Sequence, residues 1–224
     1  MPEPNGHHPE STTLTLVRHG ETDWNAQRRM QGRADIPLNE KGRKQAELVA
    51  QRLEGTQWDG IVSSPLVRVI EVSRAIARAI DIPEHEIIER HDLVERNFGE
   101  AEGMTLEERT ERFGVDGHIP GIETYEELDH RVMRALREIE AQYRSKRVLV
   151  ITHGGVITGT LQQLTDGELG HGKVFIANVS LTTIKVQDGE WHVEMMNDYS
   201  HLLGTEVEPI TTPVTGSGQA SVKR

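Results

Sequence analysis

Two apolar runs that each break off at a histidine followed by glycine constrain this chain more than any other feature. Leu14-Thr15-Leu16-Val17 ends in Arg18-His19-Gly20, and Arg147-Val148-Leu149-Val150-Ile151-Thr152 ends in His153-Gly154-Gly155. Short continuous apolar runs stopped by glycine have the pattern of strands buried on both faces. Ile61-Val62-Ser63-Ser64 is a third such run, and the Pro65 after it suits the opening of a helix. Helical spacing then puts Leu66, Val69, Ile70, Ser73, Ile76, Ala77 and Ile80 on one face, and Leu128, Val132, Ala135, Leu136, Ile139 and Tyr143 on another. A further helix is expected from Asn39 to Leu53, closed by Gly55. Thr105 to Glu108 and Thr124 to Glu127 each fit the capping box that opens a helix.

Strands alternating with helices imply an α/β fold, a three-layer α/β/α sandwich around a mostly parallel open sheet. Phe175 to Val186 and Trp191 to Met196 flank Asp188-Gly189, a favoured hairpin turn, and add an antiparallel edge. Ligands of such sheets collect beyond the carboxyl ends of the strands. Arg18, His19, the turn from Ser64 to Arg68, and His153 all fall at such ends.

The chain has 224 residues, enough for one domain with a substantial core. We expect that domain over residues 13–204, between flexible tails at 1–12 and 205–224, which are rich in Pro, Gly, Ser and Thr. With no cysteine, thiol catalysis, cysteine-ligated zinc and disulfides are excluded together. The formal net charge of -11 argues against nucleic acid and anionic membrane as partners, while leaving room for a small basic pocket. No apolar run approaches the roughly 18 residues of a membrane span, and Met1 to His8 lacks the pattern of a secretion signal, so a cytoplasmic protein is expected. Oligomeric state is not legible.

Arg18-His19-Gly20-Glu21-Thr22-Asp23-Trp24-Asn25 resembles the signature of the histidine phosphatase superfamily, the phosphoglycerate mutase-like proteins. Further blocks follow in that family's order: Arg29-Met30-Gln31-Gly32 with Pro37 to Gly42, Ser63-Ser64-Pro65-Leu66-Val67-Arg68, Leu93 to Gly99, and Thr152-His153-Gly154-Gly155. The resemblance spans residues 13–200 and implies a phosphoglycerate mutase-like fold and a phosphohistidine intermediate on His19. It also implies Glu95 as general acid and base, although Glu89, Asp92, Glu100 and Glu102 lie near it in sequence.

A phosphate monoester calls for a nucleophile, cationic clamps on its oxygens and an acid for the leaving oxygen. A neutral His19 imidazole can attack phosphorus. Arg18 and Arg68 offer planar forks suited to phosphate. His153, if protonated, adds a donor and a charge. Asn25 and the Gly154 amide complete the cradle, and the resemblance adds Thr22, Gln31 and Gly32 to it. The remaining histidines, His85, His91, His118, His130, His171, His192 and His201, have no metal-site spacing, and His7 and His8 read as part of a loose terminus. No metal and no cofactor is expected.

Reaction type depends on the surroundings. Mutases of this family resemble one another in a Tyr three residues after the acid, a Lys farther along, and a long insertion with paired arginines. Here Phe98 and Leu106 occupy those places, and the chain between Gly103 and Thr124 is too short for the insertion. Arg109 and Arg112, at helical spacing among glutamates, read as solvated charges. Hydrolysis of small phosphorylated metabolites is therefore expected, with mutase activity and a silent phosphate-binding module as alternatives. The segment from Leu106 to Gly121 is expected to cover the entrance.

Overall fold

The computed structural model describes residues 11–208. Its strands are β1 (Thr12–Arg18), β2 (Gly60–Ser63), β3 (Ile88–Glu89), β4 (Arg147–Thr152), β5 (Leu181–Gln187) and β6 (Glu190–Asp198). They form one sheet in the order β3-β2-β4-β1-β5-β6. The first four are parallel to one another, whereas β5 runs antiparallel to both β1 and β6 and forms the antiparallel edge with β6, as expected. Apolar strands buried on both faces take this arrangement because helices can cover both sides.

The helices are α1 (Asp23–Ala26), α2 (Glu40–Leu53), α3 (Val67–Ala79), α4 (Leu106–Phe113), α5 (Tyr125–Gln142) and α6 (Gly154–Leu164). Strand alternation divides the core in two. Leu14, Leu16, Val62, Val148 and Val150 pack with Leu128, Val132, Leu136 and Ile139 of α5 and Val156, Ile157 and Leu161 of α6. Val17, Ile61, Leu149 and Ile151 pack with Val49 and Leu53 of α2 and Val69, Val72 and Ile76 of α3. Each such side chain, removed from water, contributes about 1.5–3 kcal/mol. Both expected capping boxes form, at Thr105 with Glu108 and at Thr124 with Glu127.

β1 and β4 lie side by side in the middle of the sheet, and their register pairs Arg18 with Thr152. The His19 amide extends that ladder to the Thr152 carbonyl at 3.0 Å. His19 and His153 consequently leave the sheet at the same level.

The structure differs from expectation at three places. The edge strand begins at Leu181 rather than Phe175, because residues before it bond to the end of β1 instead. The Asn178 side chain donates to the His19 carbonyl at 2.9 Å, and the Val179 amide donates to the Arg18 carbonyl at 3.1 Å. Val179 does this with φ of 51°, a conformation costly for a β-branched residue. The packed chain also passes both expected limits. Thr12 is a buried member of β1, its hydroxyl donating to Glu140. Val207 is buried in the core of α2 and α3, beyond the expected boundary at 205. Residues 1–10 and 209–224, with His7 and His8, lie outside the described residues.

Gln45 ties this last segment to the loop after β1. Fully buried, it accepts the Glu21 amide through Oε1 at 2.9 Å and donates through Nε2 to the Val207 carbonyl at 3.0 Å. Gln45→Leu keeps the bulk and strands both backbone groups, so unfolding free energy should fall by about 2–4 kcal/mol in urea titrations. A loss below about 0.5 kcal/mol would show that these two bonds add nothing to stability.

Candidate active site

The loop leaving β1 is shaped by close backbone approach. A Cβ on Gly20 would stand 2.6 Å from the Gly42 carbonyl oxygen, and one on Gly42 would stand 2.0 Å from that of Glu21. Glycine on both sides therefore lets the N-terminal end of α2 press against the loop. The loop then enters α1, where Thr22 accepts the Asn25 amide at 3.2 Å while Asn25 Oδ1 accepts the Thr22 amide at 3.2 Å. This reciprocal cap leaves the side-chain Nδ2 of Asn25 as the group it can offer a ligand.

His19 is 3% exposed. Its Nδ1 lies 2.7 Å from the Gly20 carbonyl. A carbonyl only accepts, so Nδ1 carries the proton and Nε2 is left with its lone pair. Burial, then the charges of Arg68 and Arg18, push this imidazole well below its ordinary pKa of 6.5. It is a neutral base at physiological pH.

Arg68, on the first turn of α3, has no exposed surface. It donates from Nη1 to the Ala34 carbonyl at 2.7 Å and from Nη2 to the Gly32 carbonyl at 2.8 Å. Burial lowers it to about 10, against the opposing pull of Glu95, so it remains charged. Arg18 is held by the Ile176 carbonyl, and burial lowers its pKa too. The Nε atoms of both arginines are buried and have no hydrogen-bond partner among the described residues.

His153 ends β4 and precedes α6, and its ring centroid lies 5.3 Å from that of His19. Arg68 Nη2, which can only donate, stands 3.3 Å from its Nδ1, and Ser64 Oγ stands 2.8 Å from its Nε2. The proton thus sits on Nε2, facing serine. Burial and the Arg68 charge hold His153 well below 6.5. Unliganded, the ring is therefore neutral and accepts from Arg68.

Glu95 reaches the same place from the loop after β3. Its carboxylate accepts the Arg96 amide at 2.8 Å and the Gly155 amide, in the first turn of α6, at 3.1 Å. A Cβ on Gly155 would fall 2.2 Å from Glu95 Oε1, so the second glycine of His153-Gly154-Gly155 makes room for the acid. Gly154 opens α6, and a Cβ there would lie 3.4 Å from Arg18 Nε. Gly32, at φ of 52°, contributes its carbonyl to Arg68. Gln31 is 7% exposed, and its Oε1 is buried without a partner among the described residues. Thr22 is wholly buried in the α1 cap.

A cavity of about 370 Å³ opens beside Arg18 and Asn25, walled by Met30, Phe98, Leu106 and Phe175. A larger one, about 530 Å³, lies at the opposite end of the strands, by Trp58 and Arg147, and holds none of these groups. Among the described residues there is no cluster of three or more His, Asp or Glu side chains arranged to hold a metal ion, and no helix is long and apolar enough to cross a membrane.

Residues 14–199 match the histidine phosphatase superfamily (branch 1). The chain belongs to that superfamily. It is 39% identical over 193 residues to the uncharacterized phosphatase PhoE of Bacillus subtilis, covering 86% of this chain and 98% of that protein. It is 36% identical over 205 residues to a metal-independent phosphoserine phosphatase of Arabidopsis thaliana, covering 86% and 84% respectively. The solved structure of Bacillus stearothermophilus YhfR matches with a TM-score of 0.77 and 32% identity, over 85% of this chain and 99% of that one. In this histidine phosphatase, sequence reasoning missed Asn178, Gln45, Glu123 and Arg131. They are ordinary polar residues in helices and loops, and only tertiary contacts distinguish them.

The two depressed imidazoles set a pH dependence of stability. An unfolded histidine titrates near 6.5, well above either folded group. Below that pH the unfolded chain takes up the protons first, so stability present at neutral pH is lost as pH falls. The slope should reach about 1.4 kcal/mol per pH unit for each imidazole. Denaturant titrations between neutral pH and 5 should show it, and the His19→Asn, His153→Asn double variant should flatten it. An unchanged slope in that variant would assign the effect to other groups.

Proposed function

We propose that this chain is a metal-independent phosphomonoesterase acting on small phosphorylated metabolites through a phosphohistidine at His19. The observation that carries the reading is the pair of buried, unpartnered guanidinium Nε atoms beside an imidazole with a free Nε2. Buried donors without acceptors are rare and costly unless a ligand engages them. A phosphate dianion has the charge and the oxygen atoms to do so.

His19 Nε2 attacks phosphorus as the ester P–O bond breaks, and Glu95 gives the departing oxygen a proton. Water then attacks the phosphohistidine, losing a proton to Glu95, and inorganic phosphate leaves with His19 restored. Arg18, Arg68, Asn25 and the Gly154 amide hold the transferring group, with Thr22, Gln31 and Gly32 shaping the cradle through caps and carbonyls. A bound dianion reverses the field at His153 and favours its protonated, donating form.

Hydrolysis is favoured over transfer to a second position by the apolar part of the cavity wall, Met30, Phe98, Leu106 and Phe175, which stands beside Arg28, Arg29 and Glu21. Phe98 and Leu106 line the cavity, and α4 with its flanks fills the short stretch where a longer insertion would stand. Arg112 is committed to Glu100 at 2.6 Å and does not face the cavity.

Hydrolysis of p-nitrophenyl phosphate in excess EDTA should proceed in the parent protein and fall about 1,000-fold or more in His19→Ala. Equal inactivity of both would favour a silent binding module, and sustained interconversion of phosphoglycerates with added bisphosphoglycerate would favour a mutase. Glu95→Gln should slow alkyl esters about 100-fold or more while slowing activated aryl esters far less. Equal losses would remove Glu95 from the acid role.

A further inference from the structure

We infer that Glu123 and Arg131 form a positioning device that sets the place of the Glu95 carboxylate; the inference rests on the acid role given to Glu95 above. Among the described residues, the carboxylate itself is hydrogen-bonded by two backbone amides, those of Arg96 and Gly155. Its location is therefore fixed by where the backbone of residues 92–97 lies. That backbone leaves the 3-10 turn at His91–Leu93 and forms no strand among the described residues, so beyond the Thr152 hydroxyl on the Leu93 carbonyl and the Glu123 amide on that of Asn97, side chains must hold it.

Arg131, in the second turn of α5, does so with a full set of donors. Its Nη1 donates to the carbonyls of Asp92 at 2.8 Å and Val94 at 2.9 Å, and its Nη2 reaches that of Glu95 at 3.4 Å. The opposite edge of the guanidinium is taken bidentately by Glu123, from Nε at 2.8 Å and Nη2 at 2.9 Å. Glu123 in turn accepts the Asn97 amide at 3.0 Å, and its own carbonyl accepts Arg96 Nε at 2.7 Å. Bonds thus fall on both sides of Glu95, before it on the carbonyls and after it on Arg96 and Asn97.

Arg33 joins this node to the phosphate clamp. It approaches Glu123 Oε2 at 3.3 Å, and its chain neighbours Gly32 and Ala34 supply the carbonyls that hold Arg68. One partly buried ion pair accordingly references the acid and the clamp to each other. The side chains of Arg131 and Glu123 are 14% and 10% exposed, well below exposed pairs such as Arg112 with Glu100. Arg is required because a lysine has no planar fork to meet two carbonyls and a carboxylate at once.

A misplaced acid costs most where the leaving oxygen most needs a proton, and about 1 Å of displacement can cost on the order of 100-fold. The test compares Arg131→Met, Arg131→Lys and Glu123→Gln with the parent, using glycerol 2-phosphate and p-nitrophenyl phosphate as substrates. Inhibition by inorganic phosphate reads the clamp independently. Expected are losses of about 10- to 100-fold in kcat for glycerol 2-phosphate, with p-nitrophenyl phosphate turnover and phosphate inhibition each within about threefold, and partial recovery in Arg131→Lys. In a Glu95→Gln background the same substitutions should add no further loss, since two changes acting through one group are not additive. Should Arg131→Met fail to fold, Arg131→Lys and Glu123→Gln carry the same comparison. Equal losses on both esters, or losses that multiply with Glu95→Gln, would make the pair a stabiliser of the fold only and overturn the inference. A Glu95→Gln variant that does not discriminate the esters would instead strike at the acid assignment, and this inference would fall with it.

Discussion

Parallel pairing of β1 with β4 is the constraint on which the rest depends. Because Arg18 stands opposite Thr152, the residues that follow, His19 and His153, emerge together from the centre of the sheet. A shift by one residue would turn every side chain of β1 to the other face, exchanging Leu16 with Val17 between the two cores. The apolar alternation that fixes the core thereby fixes the separation of the two imidazoles. The neighbouring strand adds Ser64, whose hydroxyl meets His153, and α3 adds Arg68 just beyond it.

Electrostatics then decides what the assembled groups can do. The chain carries a net charge of -11, yet two guanidinium groups and two imidazoles converge in one buried place. Burial and mutual repulsion keep both imidazoles neutral, which leaves His19 Nε2 as a free base and makes His153 an acceptor for Arg68. Carbonyls of Gly32, Ala34 and Ile176 and the carboxylate of Glu95 offset the cations without neutralising them. A site of this kind is poised for a dianion, whose arrival would relieve the repulsion that lowers these groups.

The strands, the main helices and the antiparallel edge were legible because apolar period and glycine stops are local signals. So were the residues that the structure gathers around His19, since Arg18, Arg68, His153 and Glu95 lie in short ordered blocks of sequence. Boundaries were less legible. Phe175 to Ser180 has strand-like composition, but its polar groups are drawn to the carbonyls of Arg18 and His19, a tertiary demand that no local pattern announces. Thr12 and Val207 looked like parts of tails because their partners, Glu140, Ser145 and Gln45, are far away in the chain. The protonation state of His153 was not legible, because burial and the Arg68 charge are properties of the folded site. Glu123 and Arg131 were invisible for a similar reason: around the start of a helix full of charges, one partly buried pair resembles the solvated ones.

The central claim is that one imidazole, held with its Nε2 bare between two arginines, accepts the phosphoryl group. The most direct measurement is to quench turnover of a ³²P-labelled phosphomonoester in alkali, where phosphohistidine survives, and to map the label by peptide mass spectrometry. The account predicts an acid-labile phosphate on the peptide that contains His19, at His19 itself. Label on any other residue, or burst-phase turnover with no covalent label, would contradict it.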